Sequence, residues 1–593
     1  MAQIATGDNT SIYQLKKWLG LNEAPDGDTG LKMGEAAAMR NFRITREGHL
    51  QIRPGYAAMC TLCADTPVQG MWSGYVNGAF HFLAACGGKV WDIDLEGRTG
   101  KEIGEIEDAP THFFGFEQKV YLLNGIEYYS WSGEGTVTRV EGYVPLVVTA
   151  SPPEGGGTVL ERVNLLTDKR RVQFSPDGNA NTFRLPEDDV TEVVSVECAD
   201  PVMEWTLDTK SNSVALNPAP SEGLNTLTVT YRKENENRAR VLNMRFSELY
   251  NGQTDARVFL YGDETNEAIY SDLDENGKPS AEYFPDLNVM AVGSKNTPIT
   301  ALIRHYDRLL VYKTDGAYSV SHSTMALEDG IATAAFYVSP LNGEIGNIPC
   351  GQVRLVQNDP RTLHGQAVYE WVLSGSGTRD ERNAKRISDR VERTLSGFDL
   401  AECIVFDDER RQEYYLICGD KALIHNYGND AWYYYDHFPA TCMDVVDGEV
   451  YFGTPDGRVM HLSRKYRNDD LESIDAYWES GSMDFDADWR RKYSANIWVA
   501  IKPESQGRIT VTAQSNRKSD YMRKVVASGL ATFAHASFAH WSFGTNRKPQ
   551  VERVRLKVKK FAFYKLILSS CSASATATVL GADFQIRYTG NVK

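Results

Sequence analysis

The chain has 593 residues, a formal net charge of −16, 42% hydrophobic and 11% aromatic residues. It is too long for one ordinary core, so roughly two to four domains are expected, and too apolar for disorder. The acidic balance excludes broad affinity for nucleic acid, which needs clustered Lys and Arg, but is compatible with a surface that nucleic acid slides past without sticking.

The opening stretch "MAQIATGDNTSIYQLKKWLG" has no basic-then-apolar leader pattern, and no stretch of the chain approaches a membrane span. Within it "TSIYQLKKWLG" predicts a helix, with Thr10 or Ser11 as cap, Ile12, Leu15 and Leu19 on one face, and Gly20 ending it. Residues 39–56, "MRNFRITREGHLQIRPGY", predict a hairpin turning at Arg46-Glu47-Gly48. Phe42, Ile44, Leu50 and Ile52 share its apolar face, and its basic character comes from Arg40, Arg43, Arg46 and Arg53. Residues 1–66 therefore read as an arm with a hairpin. The nine cysteines, an odd number, suit reduced thiols better than a disulfide framework. The one C-x-x-C, Cys60 to Cys63, lacks a second pair at zinc spacing and reads as two half-buried thiols in a strand.

Beyond residue 66, pairs of apolar strands recur over turns of Gly, Asn or Asp. "FHFLAACGGKVWDI" turns at Gly87-Gly88 and "KVYLLNGIEYYSW" at Asn124-Gly125, the strongest of these signals because both residues tolerate positive φ. "RVFLYGDETNEAIYS" turns near Asp263, "RLLVYKTDGAYSV" at Asp315-Gly316, and "AVYEWVLSGSGT", a weaker member, around Gly375. "EYYLICGDKALIHN" turns at Gly419-Asp420 and "EVYFGTPDGRVMHL" at Asp456-Gly457. Most successive turns are roughly 40 to 60 residues apart, the spacing of propeller blades. The gap of 139 residues from Asn124 to Asp263 returns to register once residues 146–236 are set aside. That segment follows a Pro/Gly-rich hinge and holds short strands such as "RRVQF" and "EVVSVECA", the pattern of a small inserted β-sandwich. Residues 471–593, with "SANIWVAIKP", "GRITVTAQSN" and "RVRLKVKKFAFYKLILSS", predict a second sandwich. The expected fold is all-β: a propeller of about seven blades over 67–145 and 237–470, with these two additions.

Propellers often house enzymes, whose catalytic sets need residues of particular type and spacing. "DLDENG" supplies Asp272, Asp274, Asn276 and Gly277 at calcium-loop spacing, but position twelve is Tyr283, with Glu282 one place early, and no helices flank it. A polar turn is the plainer reading. Glu187-Asp188-Asp189, Asp407-Asp408-Glu409 and Asp469-Asp470 are adjacent carboxylates, which point apart, whereas glycoside hydrolysis needs a facing pair. His535 and His540 in "FAHASFAHW" have no third metal ligand nearby, and "AWYYYDHF" (431–438) reads as core between blades more readily than as a sugar-stacking patch. There is no sialidase box, G-x-S-x-G, Walker loop or H-E-x-x-H. No catalytic residue, metal site or cofactor is assigned.

Two stretches carry a family resemblance. "GLKMGEAAAMRNFRITREGHLQIRPGY" resembles the N-terminal signature of the packaged-DNA stabilisation, tail-hub and tail-nozzle proteins of tailed bacteriophages, with its Asn-Phe strand, glycine turn and Arg-Pro-Gly exit. The segment from "AIYSDLDENG" through "AEYFPDLN" to "TPITALIRHYDRLLVYKTDGAYSV" is similar to that family's central blades. The likeness spans nearly the full chain, but its motifs are structural. It implies a virion protein, without enzymatic activity, that forms a closed ring, hexameric by family resemblance, below the portal and adaptor. Such a ring helps close the head, retains packaged double-stranded DNA passing through its lumen, and anchors fibres or further tail parts, with no membrane involved. The hairpin is then expected to close the ring of blades through Phe42, Ile44, Leu50 and Ile52. Its arginines would meet an acidic neighbour, another domain or an adjacent subunit; the alternative is a solvated basic edge. A rival reading is a carbohydrate-binding or carbohydrate-cleaving tail protein that uses the propeller face, supported by "AWYYYDHF" and "FDDERR".

Overall fold

The computed structural model describes residues 3–6, 9–25, 28–199, 204–251, 256–326, 332–372, 384–504, 507–517, 524–528 and 549–592. Regular structure in them is almost entirely β, and the helices are single turns. Among the described residues, six antiparallel sheets are each built from four consecutive strands, within 68–105, 112–139, 246–291, 299–342, 354–386 and 404–435. A seventh begins with Cys442–Val446, Glu449–Gly453 and Arg458–Ser463, and its fourth strand is Gly55–Thr61, returning from the other end of the chain. Neighbouring sheets touch near their first strands in chain order, and Cys442–Val446 of the seventh reaches Val68–Val76 of the first. The result is a closed, propeller-like ring.

Turn chemistry explains why the hairpins were legible. Those described lie between the second and third strands of their sheets. Gly87-Gly88 and Gly419-Asp420 are two-residue turns, closed by the pairs Cys86–Lys89 and Cys418–Lys421. The turn expected at Asp315-Gly316 sits one residue earlier, since Lys313 pairs with Gly316. Asn124-Gly125 opens a longer loop, because the Asn124 side-chain oxygen accepts the N–H groups of Ile126 (3.0 Å) and Glu127 (2.8 Å). The turn around Gly375 lies outside the described residues.

Between the second and third sheets, a five-stranded and a three-stranded sheet, within 146–232, share a core that includes Val172, Phe174, Phe183, Val214 and Tyr231. Asn164 joins this unit to the ring. Its amide donates to the carbonyls of Tyr143 and Glu282, both at 2.8 Å, and its oxygen accepts the Phe284 N–H at 2.9 Å.

The two ends of the chain fold together. Gln3–Thr6, Thr10–Leu15 and the hairpin Phe42–Ile44/Leu50–Ile52 belong to one sheet with Arg490–Ile501, Gln550–Phe561 and Thr578–Asn591. Gly20–Leu21 and Glu35–Arg40 belong to a second sheet with Asp475–Ser480, Tyr564–Cys571, Gly507–Ser515 and Lys524–Ser528. Residues 1–66 are therefore not a separate arm. In place of the helix expected over 10–20 stands the strand Thr10–Leu15: Thr10 pairs with Arg587 and Leu15 with Ala582, and burial alternates at Ser11, Tyr13 and Leu15. Pairing with a distant strand overrides the local helical pattern.

The expected closure through Phe42, Ile44, Leu50 and Ile52 is also corrected. The hairpin pairs through Leu50 with Val579, and these four side chains enter a core that runs from the fifth, sixth and seventh sheets into the C-terminal sheets. Closure is made by Gly55–Thr61, which starts where the hairpin segment ends. Gly55 is required at that crossing, since a Cβ there would lie 2.1 Å from the Asn468 carbonyl oxygen.

Arg53 fixes the crossing. Its five N–H bonds meet five acceptors: Nε donates to Asn41 Oδ1 (2.9 Å), Nη1 to Pro54 O (3.1 Å) and Asp469 Oδ1 (2.8 Å), and Nη2 to Asp436 O (3.1 Å) and Asp469 Oδ2 (2.5 Å). Arg53→Met leaves Asp469 buried without its partner and is expected to cost about 3–5 kcal/mol in denaturant unfolding. Adding Asp469→Asn should recover part of that loss. Equal stability of the single and double variants would show that the ion pair is not what holds the crossing.

Candidate functional site

The first strands of the seven sheets surround one axial cavity of about 720 Å³. They come close enough to clasp one another. Thr111 N–H donates to Gln69 O (3.0 Å), Gly351 N–H to Thr300 O (2.7 Å), Val405 N–H to Gln352 Oε1 (2.9 Å), and the Thr441 hydroxyl to Val68 O (2.6 Å). Gly70 permits the first of these contacts, since a Cβ would meet the Thr111 carbonyl oxygen at 2.0 Å.

Charge is unevenly distributed around the cavity. The segments leading the third, fourth and fifth sheets contribute Arg245, Glu248, Arg304 and Arg354, whereas the seventh contributes Asp444 and the first Met71 and Trp72. Burial pushes the Glu248 carboxyl up to about 7, against the opposing pull of Arg304 and Arg354. Burial, assisted by the Arg354 charge, lowers His112 to about 4, so its ring is neutral near pH 7, with Nε2 3.1 Å from the Ser247 hydroxyl. A cavity of this size admits a small ligand. It offers cationic donors and a carboxyl that titrates near neutrality on one side, and on the other Met71 and Trp72 beside the Asp444 carboxylate. Among the described residues, no group of three or more His, Cys, Asp or Glu is arranged to hold a metal ion.

The residues singled out in the sequence lie elsewhere. Asp272 binds Arg257 (2.5 Å) and Asn288 (3.1 Å), and Asp274 accepts the backbone N–H groups of Asn276 (2.8 Å) and Lys278 (2.9 Å), as in a closed polar turn. Asp407 and Asp408 end the strand Ile404–Asp408 rather than occupying a turn, and successive residues there face opposite ways. Asp408 binds Arg411 at 2.8 Å, while burial, with the Asp408 and Glu409 charges, pushes Asp407 up to about 7 despite Arg361 and Tyr427. Glu187 pairs with Arg170, Asp188 accepts from Asn212 (3.2 Å), and Asp470 pairs with Arg458. Trp432, Tyr433, Tyr435 and Phe438 are buried in the core. The Cys63 thiol donates to the Cys86 carbonyl oxygen at 3.2 Å. His535 and His540 lie outside the described residues.

The four arginines divide. Arg40 pairs with Asp436 (3.3 Å) and Asp475, Arg43 with Glu413 (3.3 Å) and Arg53 with Asp469, all within the chain, while Arg46 is exposed. Sequence reasoning missed the cavity lining. The available signal was a polar or charged residue in the strand that precedes each hairpin, in segments such as "HFFGF", "FSELY", "ITALIRH" and "CMDVV".

No protein-family model and no curated protein matches the chain. Among solved structures it is similar to the computationally designed Ika8 protein, at 9% identity over 68% of this chain and 99% of that one, with a TM-score of 0.31. It is similar to the WD40 domain of SCAP from fission yeast at 8% identity, 72% and 98% coverage and a TM-score of 0.28. For a glycoside hydrolase family 43 arabinoxylan arabinofuranohydrolase from Bacillus subtilis, the values are 10%, 90%, 99% and 0.20. Likenesses at these scores carry no argument about function, and the propeller-like description rests on the sheets themselves.

Because Glu248 titrates higher in the fold than its ordinary 4.5, the folded state holds the proton longer as pH rises. Stability is thus expected to fall between about pH 4.5 and 7 on its account. Glu248→Gln should remove that share of the slope, gaining about 1 kcal/mol at pH 8 relative to the parent after allowance for solvent screening. Parallel unfolding curves across the pH range would rule this out.

Proposed function

We propose that this chain is a structural protein of a tailed-bacteriophage particle. It assembles through copies of itself into a closed ring, hexameric by family resemblance, in the tail hub or nozzle below the portal and adaptor. On this reading the ring of sheets is a seven-bladed propeller. The unit over 146–236 is an inserted sandwich, and the C-terminal sheets, with their N-terminal strands, form a second. The ring's work is mechanical: it helps close the head, retains packaged DNA and offers attachment for fibres or further tail parts. Double-stranded DNA would run through the lumen of the assembled ring, since the cavity within each chain is of small-ligand size.

One observation carries the reading: several of the residues behind the family resemblance are joints between units. Asn41, Arg53 and Gly55 belong to the crossing where hairpin, sixth sheet and seventh sheet meet. Ser271, fully buried, accepts the Val258 N–H at 3.0 Å, and Asp272 pairs with Arg257. Tyr283 donates its hydroxyl to Arg162 O at 2.9 Å, and Phe284 donates its N–H to Asn164, so "YFP" clamps the inserted unit to the ring. Motifs spent on joints suit a protein whose task is to keep a fixed shape under load.

The test is the oligomeric state of the purified full chain. Mass photometry and negative-stain imaging should find closed rings of a single copy number. Assays on host polysaccharides should give no reducing sugar, with Asp407→Asn and Asp408→Asn indistinguishable from the parent. A chain that stays monomeric at all accessible concentrations and releases sugar would replace this reading with the carbohydrate-cleaving one.

A further inference from the structure

Where the N-terminal hairpin meets the sixth and seventh sheets lies a second cavity, of about 280 Å³. Its charged lining is five arginines, Arg43, Arg46, Arg410, Arg411 and Arg464, and one carboxylate, Glu449. On a chain of net charge −16 this is a marked local reversal. Arg43 is only 9% exposed, and its Nε has no hydrogen-bond partner. Its Nη1 stands 3.3 Å from Glu413. Glu413 is itself buried and already accepts the hydroxyls of Tyr415 (2.7 Å) and Tyr433 (2.5 Å).

Of the remaining arginines only Arg411 has a carboxylate partner among the described residues. Arg411 binds Asp408 at 2.8 Å and lies 3.8 Å from Glu449, which is shared with His461. Arg410 donates to the Gly448 carbonyl at 2.8 Å and, among the described residues, has no carboxylate partner. Neither Arg46 nor Arg464 has an ion-pair partner among the described residues, and both are exposed. Setting Glu413, Asp408 and Glu449 against the five arginines leaves two positive charges uncompensated. The walls are held in place: Asn429 donates to Thr45 O at 2.8 Å, tying hairpin to sixth sheet, and Arg411 N–H binds Asp408 Oδ1 at 3.0 Å.

The geometry points to a binding site for a phosphate group, present as free inorganic phosphate or as a phosphate monoester. Planar guanidinium forks match phosphate oxygens two at a time, and buried Arg43 supplies a donor that lacks an acceptor. A dianion matches the surplus of two charges. The volume leaves room for an ester substituent beside the phosphate. This site does not depend on the proposed place of the protein in a virion.

Isothermal titration of the full chain with sodium phosphate, and separately with adenosine monophosphate, in chloride buffer of matched ionic strength, tests it. One saturable site per chain is expected, and Arg46→Ala with Arg464→Ala should weaken it at least tenfold while leaving the ligand-free unfolding curve unchanged. Tighter binding of the monophosphate assigns the site to an ester; tighter binding of phosphate assigns it to the free ion. Heats no greater than the chloride control, or binding unaltered in the double variant, overturn the proposal. So does a double variant that binds phosphate normally and changes only self-association, which would give the arginines to an acidic protein surface.

Discussion

The fold depends on one buried guanidinium. Arg53 sits where the chain leaves the hairpin and enters the ring, and its donors reach three places far apart in sequence: Asn41, Asp436 and Asp469. A buried ion pair is a poor source of stability when judged by Coulomb attraction alone, because both charges lose their water. Here every N–H of the guanidinium has an acceptor, and the rings of Tyr56 and Tyr435 lie 6.0 and 5.4 Å from it. Satisfaction of that order specifies a position. A shift of the closing strand by one residue would separate the fork from Asp469 and turn the side chains of Gly55–Thr61 to the wrong faces.

That strand sets the order in which the molecule becomes whole. The seventh sheet is complete only when Gly55–Thr61 lies beside Arg458–Ser463, and the C-terminal sheets are complete only when strands from the first forty residues join them. The same segment therefore closes the ring and knits the end domain, and the hydrophobic core runs without a break from one to the other. The inserted unit is different. It has its own core and meets the ring largely through Asn164, Leu165, Leu166 and the loop around Tyr283 and Phe284.

What was legible in the sequence was what local chemistry dictates. Gly87-Gly88 and Gly419-Asp420 announce tight turns because few other residues accept the required backbone angles, and the alternation on either side gives strands. What was not legible depended on distant partners. Thr10–Leu15 has the spacing of a helix face, yet it pairs with a strand more than 500 residues away. Phe42 and Leu50 are legible as a buried face, but the neighbour they pack against is not, since hydrophobicity carries no address. The axial lining escaped for a third reason. Glu248, Arg304 and Arg354 are single polar residues in unremarkable strands, and only closure of the ring brings them together.

Arginine placement ties the units of the fold to one another. A chain of net charge −16 brings like charges together wherever its units meet. This chain resolves the problem by setting arginines at the seams: Arg40 and Arg53 between hairpin, ring and end domain, Arg43 against the sixth sheet, Arg171 reaching from the inserted unit to Glu275. Lysine would not serve at Arg53, since an ammonium has three donors where the guanidinium uses five, and no planar fork to hold both Asp469 oxygens. At most seams the arginine is matched by carboxylates. At the junction lined by Arg46, Arg410 and Arg464 the matching stops short, and the excess is held on a rigid frame. A seam left positive in an otherwise balanced scheme is better understood as a place kept for an anion than as an oversight of packing.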